Sequence, residues 1–267
     1  SYVLGLHGPC VSVDTACSAA LAACHSGLRA LQLAECAAGL VAGVNLMLAP
    51  AVGVSFAVAG MTSARGRCHT FDARADGYAR GEACGAAALH SGVDDSAPAL
   101  GLSGSAVRQD GRSASLTAPS GVAQQGLLVA ALADAATPAD ALTLHEAHGT
   151  GTALGDPIEA GSLVAAVLAS RGEAAAGPLA VGGVKANIGH AEPAAGMTGL
   201  VRLALGLRSR EAAPNAQLRV LNPHVGSALR GAACALPVQL CAPPADASAS
   251  GGVSSFGYSG TIAHAVL

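Results

Sequence analysis

The chain has 267 residues, a formal net charge of −3, 2% aromatic residues and no Trp, which excludes the basic patch and stacking platform of a nucleic-acid binder. Half the residues are hydrophobic, but 35 are Gly and the apolar surplus is largely Ala; no apolar run approaches the roughly 18 residues of a membrane helix. The chain opens at Ser1 with no basic-then-apolar signal segment, so a soluble, cytoplasmic protein with no membrane contact is expected, its start lying upstream.

The elements follow in chain order. Cys10–Val13 reads as a strand, Cys17–Ala34 as an Ala-rich helix and Gly39–Met47 as a buried strand. A Gly-rich segment, Arg74–Gly85, precedes strands at Ala86–His90 and Leu100–Val107. Gln124–Ala136 is helical, and Leu142–Glu146 is a strand entering a Gly/Thr loop. Asp156-Pro157 starts a helix reaching Ser170, because Asp caps and Pro suits the first helical position. Leu179–Val184 is a strand, Pro193–Ser209 a helix, and Gly252–Phe256 and Ala263–Leu267 are closing strands. Ala242–Ala249, built of Pro, Ala, Ser and Asp, is expected to lack order. Alternating strands and helices predict a layered α/β domain.

The eight cysteines include no C-x-x-C pair and no zinc-type Cys/His spacing, so they read as small buried hydrophobes rather than a disulfide or metal framework. Cys17 stands apart. In Val13-Asp14-Thr15-Ala16-Cys17-Ser18 a strand ends, a turn follows, and the thiol sits where a helix begins. Free N–H groups and the helix dipole there stabilise a thiolate and lower its pKa, and they offer donors to a developing oxyanion. A Cys that merely packs is the competing reading.

Three further motifs follow strands. Glu146-Ala147-His148-Gly149-Thr150-Gly151-Thr152 can present an imidazole into a cleft, with two hydroxyls for a polar ligand chain; His145 points to the opposite strand face and reads as structural. Gly183-Val184-Lys185-Ala186-Asn187-Ile188-Gly189-His190 carries the only lysine of the chain five residues before a second His. A cation beside an imidazole discourages its protonation. Ser254-Ser255-Phe256-Gly257-Tyr258-Ser259-Gly260-Thr261 is a Gly loop whose amides can approach a substrate closely.

Together and in this order, D-T-A-C-S, E-A-H-G-T-G-T-x-L-G-D-P-I-E-A, V-K-x-N-I-G-H-x-E-x-A-A-G and S-S-F-G-x-S-G-T-x-A-H resemble the β-ketoacyl synthases of the thiolase superfamily. The P-I-E-A and N-I-G-H variants look most like ketosynthase domains of modular polyketide synthases, with fatty-acid synthase counterparts next. The resemblance implies an α/β, thiolase-like layered α-β-α-β-α fold with its amino-terminal half incomplete. Residues 1–107 would be the remainder of that half, carrying the nucleophile, and 108–267 the carboxy-terminal half with both histidines. Family members carry a further segment before the nucleophile strand, so unpaired sheet edges and exposed apolar faces are expected.

It also implies an acyltransferase of the 3-oxoacyl synthase type. Cys17 would take an acyl group from phosphopantetheine on an acyl carrier protein, and a malonyl-type extender would lose CO₂ and condense with it. The backbone N–H groups of Cys17 and Tyr258 would form the oxyanion hole, and His148 and His190 would hold the extender carbonyl. Lys185 would orient His190, Thr150 and Thr152 would touch the pantetheine arm, and Phe256 and Tyr258 would line the substrate channel, Tyr258 as a gate. No metal or organic cofactor is called for; a homodimer and neighbouring synthase domains are. The departures are Ala19 and Ala20 after Ser18, Arg108 before Gln109, and Ile262 where the family has Asn. The alternatives are a non-catalytic fragment or scaffold, or a thiolase-like acyltransferase. A thiolase would want a second Cys within Ser254–His264, which has none.

Overall fold

The computed structural model describes residues 1–92, 100–115, 117–172, 175, 177–242 and 250–267. Apart from Ala242, the stretch Ala242–Ala249 lies outside them.

Apolar residues three and four apart make α1 (Ala19–Gln32) amphipathic, with Ala20, Leu21, Cys24 and Leu28 buried. Strand β1 (Ala38–Asn45) alternates, turning Val41, Gly43 and Asn45 inward and Leu40, Ala42 and Val44 outward. Helix α2 (Pro50–Val58) begins on Pro and buries none of its residues. Strand β2 (Ala83–His90) pairs antiparallel with β1, from Ala38 opposite His90 to Asn45 opposite Ala83. The chain continues through β3 (Gly104–Gln109), α3 (Gly121–Asp134), β4 (Leu142–Glu146), α4 (Gly155–Ala166), β5 (Leu179–Gly182) and the one-turn α5 (Lys185–Ile188). It closes with α6 (Ala195–Ser209), α7 (Pro223–Ala228), β6 (Cys234–Ala235), β7 (Ser250–Phe256) and β8 (Thr261–Val266).

The second sheet has the order β3-β8-β7-β4-β5-β6. Pairing is antiparallel across β3, β8 and β7 and parallel from β7 through β4 and β5 to β6. Parallel neighbours need a crossover, which α4 supplies between β4 and β5. Helices α1 and α6 lie between the sheets: α1 touches β1, β3 and β8, and α6 touches β4 and β7 as well as β1 and β2. The other face of the larger sheet is covered by α3, with α4 against α3.

Two apolar clusters hold these layers, one around Leu127, Leu142, Leu179 and Ile262, the other around Leu21, Met197 and Val253. Each such side chain contributes about 1.5–3 kcal/mol by leaving water. The outer face of the smaller sheet is bare, with Leu40 71% and Val44 54% exposed. Among the described residues no helix is long and apolar enough to cross a membrane.

Several expectations need correction. Cys10–Val13 is not a strand: it runs as irregular chain, and Cys10, Val11 and Ser12 are exposed, because no described strand lies beside it to share a ladder. Asp156 does not cap α4, whose N-cap is Leu154; its carboxylate accepts from Phe71 and Gly151 N–H groups instead. The strand expected from Leu100 starts only at Gly104. Helices α2, α5 and α7 and strand β6 were not anticipated by pattern, being short or lacking a polar face.

Candidate active site

The turn before α1 is built to aim a thiol. Ala16 is left-handed at φ 54°, a conformation that an alanine keeps only when held. Asp14 holds it by accepting the Ala16 N–H at 3.1 Å. Ser18 Oγ donates to Thr15 O at 2.9 Å, and Ser255 Oγ, from β7, donates to the Cys17 carbonyl at 2.6 Å. The chain after β7 passes so close that a Cβ on Gly257 would lie 2.4 Å from Thr15 O; only glycine fits. This approach sets the Tyr258 N–H, together with the N–H of Cys17 itself, against the sulfur. Cys17 is buried, two residues ahead of the first helical residue.

Two imidazoles converge on the thiol. His190 Nε2 lies 3.1 Å from Cys17 Sγ, and the His148 ring stands edge-on to His190 with centroids 5.6 Å apart. Both rings are read by a backbone amide on the other nitrogen. Phe256 N–H donates to His148 Nδ1 at 3.3 Å, and Glu192 N–H to His190 Nδ1 at 3.2 Å. An Nδ1 that accepts leaves the proton of a neutral ring on Nε2, so both histidines present an N–H donor inward. Tyr78 packs edge-on against His190 at 4.9 Å.

Electrostatics keep the cluster neutral. Burial, then the Lys185 charge, hold His148 and His190 well below the ordinary imidazole range. Lys185 opens α5 and is itself buried. The sequence expectation of a lowered Cys17 pKa is corrected: burial pushes the thiol up to about 11, and Lys185 and the Tyr258 N–H recover only part of that cost. The local helix start was legible, whereas the desolvation comes from residues far along the chain.

The loop carrying His148 is clamped by α4. Glu159 accepts from His148 N–H at 2.6 Å and Gly149 N–H at 2.8 Å, and Asp156 accepts from Gly151 N–H at 3.1 Å. Burial raises Asp156 to about 6 and Glu159 to about 7. Both were visible as D-P-I-E, three apart on one helix face, yet only the capping role of Asp156 was inferred. Thr150 and Thr152 hydroxyls lie 3.2 Å apart at the rim of a cleft of about 430 Å³. The cleft also meets Cys17, His148, His190, Phe256 and Tyr258. Phe256 packs on the His148 ring, and Tyr258, 43% exposed, stands at the opening edge-on to Phe56. Lys185 is absent from the cleft lining and acts on it through its field. His145 lies outside the cleft, stacked on His264. Ile262 is fully buried in the core.

This arrangement can acylate a thiol, stabilise the oxyanion with two backbone donors, and hold a second carbonyl between two neutral imidazole N–H groups. The chain is also similar to known proteins. Residues 1–94 match the β-ketoacyl synthase N-terminal domain and residues 101–219 the β-ketoacyl synthase C-terminal domain. The chain is 42% identical over its whole length to a phenolphthiocerol/phthiocerol polyketide synthase polypeptide of Mycobacterium tuberculosis, of which it covers 14%. It is 41% identical to erythronolide synthase EryA3 of Saccharopolyspora erythraea, of which it covers 8%. The ketosynthase from module 6 of the bacillaene synthase of Bacillus subtilis superposes with a TM-score of 0.91 at 34% identity, over 99% of this chain and 48% of that one. The chain thus spans a small part of these synthases and about half of a solved ketosynthase. On both its family matches and its architecture, the chain belongs to the β-ketoacyl synthase family.

Proposed function

We propose that the chain carries the active site of a polyketide-type ketosynthase, which joins a Cys17-bound acyl group to a malonyl-type extender by decarboxylative condensation. The observation that carries this reading is the meeting of Cys17 Sγ with His190 Nε2 at 3.1 Å beside His148, each ring with its Nδ1 occupied by a backbone amide.

In the first half-reaction the Cys17 sulfur attacks an acyl thioester. The Cys17 and Tyr258 N–H groups take the charge on the carbonyl oxygen, the old C–S bond breaks, and the thiol proton leaves on the departing pantetheine thiol. In the second, the extender carbonyl sits between the Nε2–H donors of His148 and His190. Its Cα–carboxylate bond breaks, CO₂ departs, and the electron pair becomes an enolate on that oxygen. The enolate carbon attacks the Cys17 thioester, a C–C bond forms, and the Cys17 thiolate leaves and takes a proton from water. Lys185 keeps both imidazoles uncharged. Thr150 and Thr152 at the rim suit the amides of a pantetheine arm, and Phe256 and Tyr258 flank the acyl path. Both substrates would be carried on phosphopantetheine of an acyl carrier protein, in the cytoplasm, within a homodimeric multidomain synthase. Residues 1–107 would bring the nucleophile and 108–267 the histidines to one domain.

The bare outer face of the β1–β2 sheet favours a second reading, a ketosynthase piece that needs further chain before it turns over. Incubation with a short acyl thioester, followed by peptide mass spectrometry of wild type and Cys17→Ala, separates the two. Acyl mass confined to Cys17 and lost in the variant supports the active reading. No adduct here, but an adduct in a chain extended at its amino terminus, supports the second. No adduct in either refutes both.

A further inference from the structure

The two imidazoles receive their backbone amides in different ways. The amide serving His148 belongs to Phe256, the last residue of β7, and the sheet fixes its direction. The amide serving His190 belongs to Glu192, which lies outside any regular ladder and is left-handed at φ 45°. A residue with a side chain keeps that conformation only where its surroundings impose it.

The Glu192 side chain is held by Arg80. Its guanidinium meets the Glu192 carboxylate fork to fork, Nε to Oε1 at 2.5 Å and Nη2 to Oε2 at 2.9 Å, with both side chains largely buried. Such bidentate pairing fixes orientation as well as distance. The guanidinium is also held from above, 5.3 Å from the centre of the Phe56 ring. The backbone around Arg80 grips His190 directly: His190 N–H donates to Ala79 O at 2.7 Å, and Gly81 N–H donates to His190 O at 2.8 Å. One short stretch therefore clamps the His190 main chain on both sides and, through Arg80, the amide two residues on.

We propose that the Arg80–Glu192 pair is a positioning device that keeps the proton of His190 on Nε2, and with it the role of this ring as donor toward Cys17 and the extender carbonyl. The role toward the extender rests on the ketosynthase reading above; the tautomer does not. With the pair broken, Glu192 relaxes toward ordinary backbone angles, its N–H swings off Nδ1, and either ring nitrogen can carry the proton. His148 is untouched, because its amide is held by the sheet.

The test uses the full chain labelled with ¹⁵N-histidine, its His190 signals assigned through His190→Asn. Long-range ¹H–¹⁵N spectra distinguish a ring protonated on Nε2 from one protonated on Nδ1. Wild type should show His190 as Nε2–H. In Arg80→Leu and Glu192→Ala the signals should shift toward a mixture, while those of His148 stay in place. Glu192→Gln, which keeps one hydrogen bond to Arg80, should lie between. Arg29→Leu, which breaks the Arg29–Asp134 pair at 2.7 Å away from the cleft, should leave His190 unchanged. In condensation assays Arg80→Leu should lower kcat roughly tenfold, the equilibrium value of about one hydrogen bond, with KM for the extender held within about twofold.

An Nε2–H His190 in folded Arg80→Leu overturns the proposal, as does a wild-type ring protonated on Nδ1. If Arg80→Leu does not fold, Glu192→Gln decides: a shifted tautomer supports the pair, an unshifted one refutes it. Absence of Cys17 acylation in the wild-type chain counts against the active reading alone and leaves the tautomer signal to decide the positioning role.

Discussion

The Cys17 thiol should be slow to alkylate at neutral pH, although it stands at the start of a helix. Burial pushes it up to about 11 from an ordinary 9.0, a penalty of about 3 kcal/mol on the thiolate. At pH 8 the thiolate fraction is then about one in a thousand, against about one in ten for an unperturbed thiol. Treated with iodoacetamide at a series of pH values, Cys17 should gain about a factor of ten in rate per pH unit between pH 7 and 10. Quantifying the Cys17 peptide by mass spectrometry gives the rate, and exposed Cys10 in the same sample is the reference. Lys185→Met should slow the reaction further, since the Lys185 charge pulls the thiol down. A rate that levels off below pH 8 would show a thiolate paired with a charged His190. The neutral thiol–imidazole pair, and the donor role derived for His190, would then be wrong.

Three further outcomes are expected. Gly257→Ala forces a Cβ to within 2.4 Å of Thr15 O; it should cost about 1–3 kcal/mol in urea unfolding and, by displacing the Tyr258 amide, about 10²–10³ in acylation rate. Arg202→Met strands Glu146, which is 1% exposed and ion-paired to Arg202; a loss of about 3–5 kcal/mol is expected, and an unchanged urea midpoint would refute it. Acid should destabilise the chain. His145, His148, His190 and His264 are all held low by burial, so below pH 6.5 the unfolded chain binds protons that the folded chain refuses, and stability falls with pH. Asp156 and Glu159, raised to about 6 and about 7, act in the opposite sense because the folded chain keeps their protons. His25 and His69, also held low, add to the loss, while raised Glu146 and Asp110 offset part of it, and the histidines prevail between pH 6.5 and 5. Equal urea midpoints at pH 7 and 5 would contradict the neutral histidines.

The chemistry of this chain was legible where it is written locally. Periodicity located α1, α3, α6 and β1 within a few residues, since each has one buried face that the sequence must encode, while β4 and β7, buried on both faces, read as continuous apolar or small-residue runs between turn signals. Three of the four motifs were found because each joins a strand end to a turn of small residues, and the Cys17 motif, with no strand before it, was found from its place at the start of α1. What escaped depends on distant partners. Cys10–Val13 has the composition of a strand, but a strand exists only beside another. The clamp of Glu159 on the His148 loop and the fork of Arg80 on Glu192 span 11 and 112 residues, and no spacing rule links them. The pKa of Cys17 failed for the same reason: the dipole is local, while the desolvation is collective.

The hydrogen bond from Ser255 to the Cys17 carbonyl joins residues 238 apart, and the contact of His190 with the thiol spans 173. A chain made from its amino end exposes Cys17 long before either partner exists. Until β7 and the loop beyond it are in place, the thiol has neither its Tyr258 donor nor the anchor on its own peptide. A half-made chain holds the Cys without the Tyr258 N–H, so the two-donor site exists only once the sheet closes, the same closure that buries the thiol and raises its pKa.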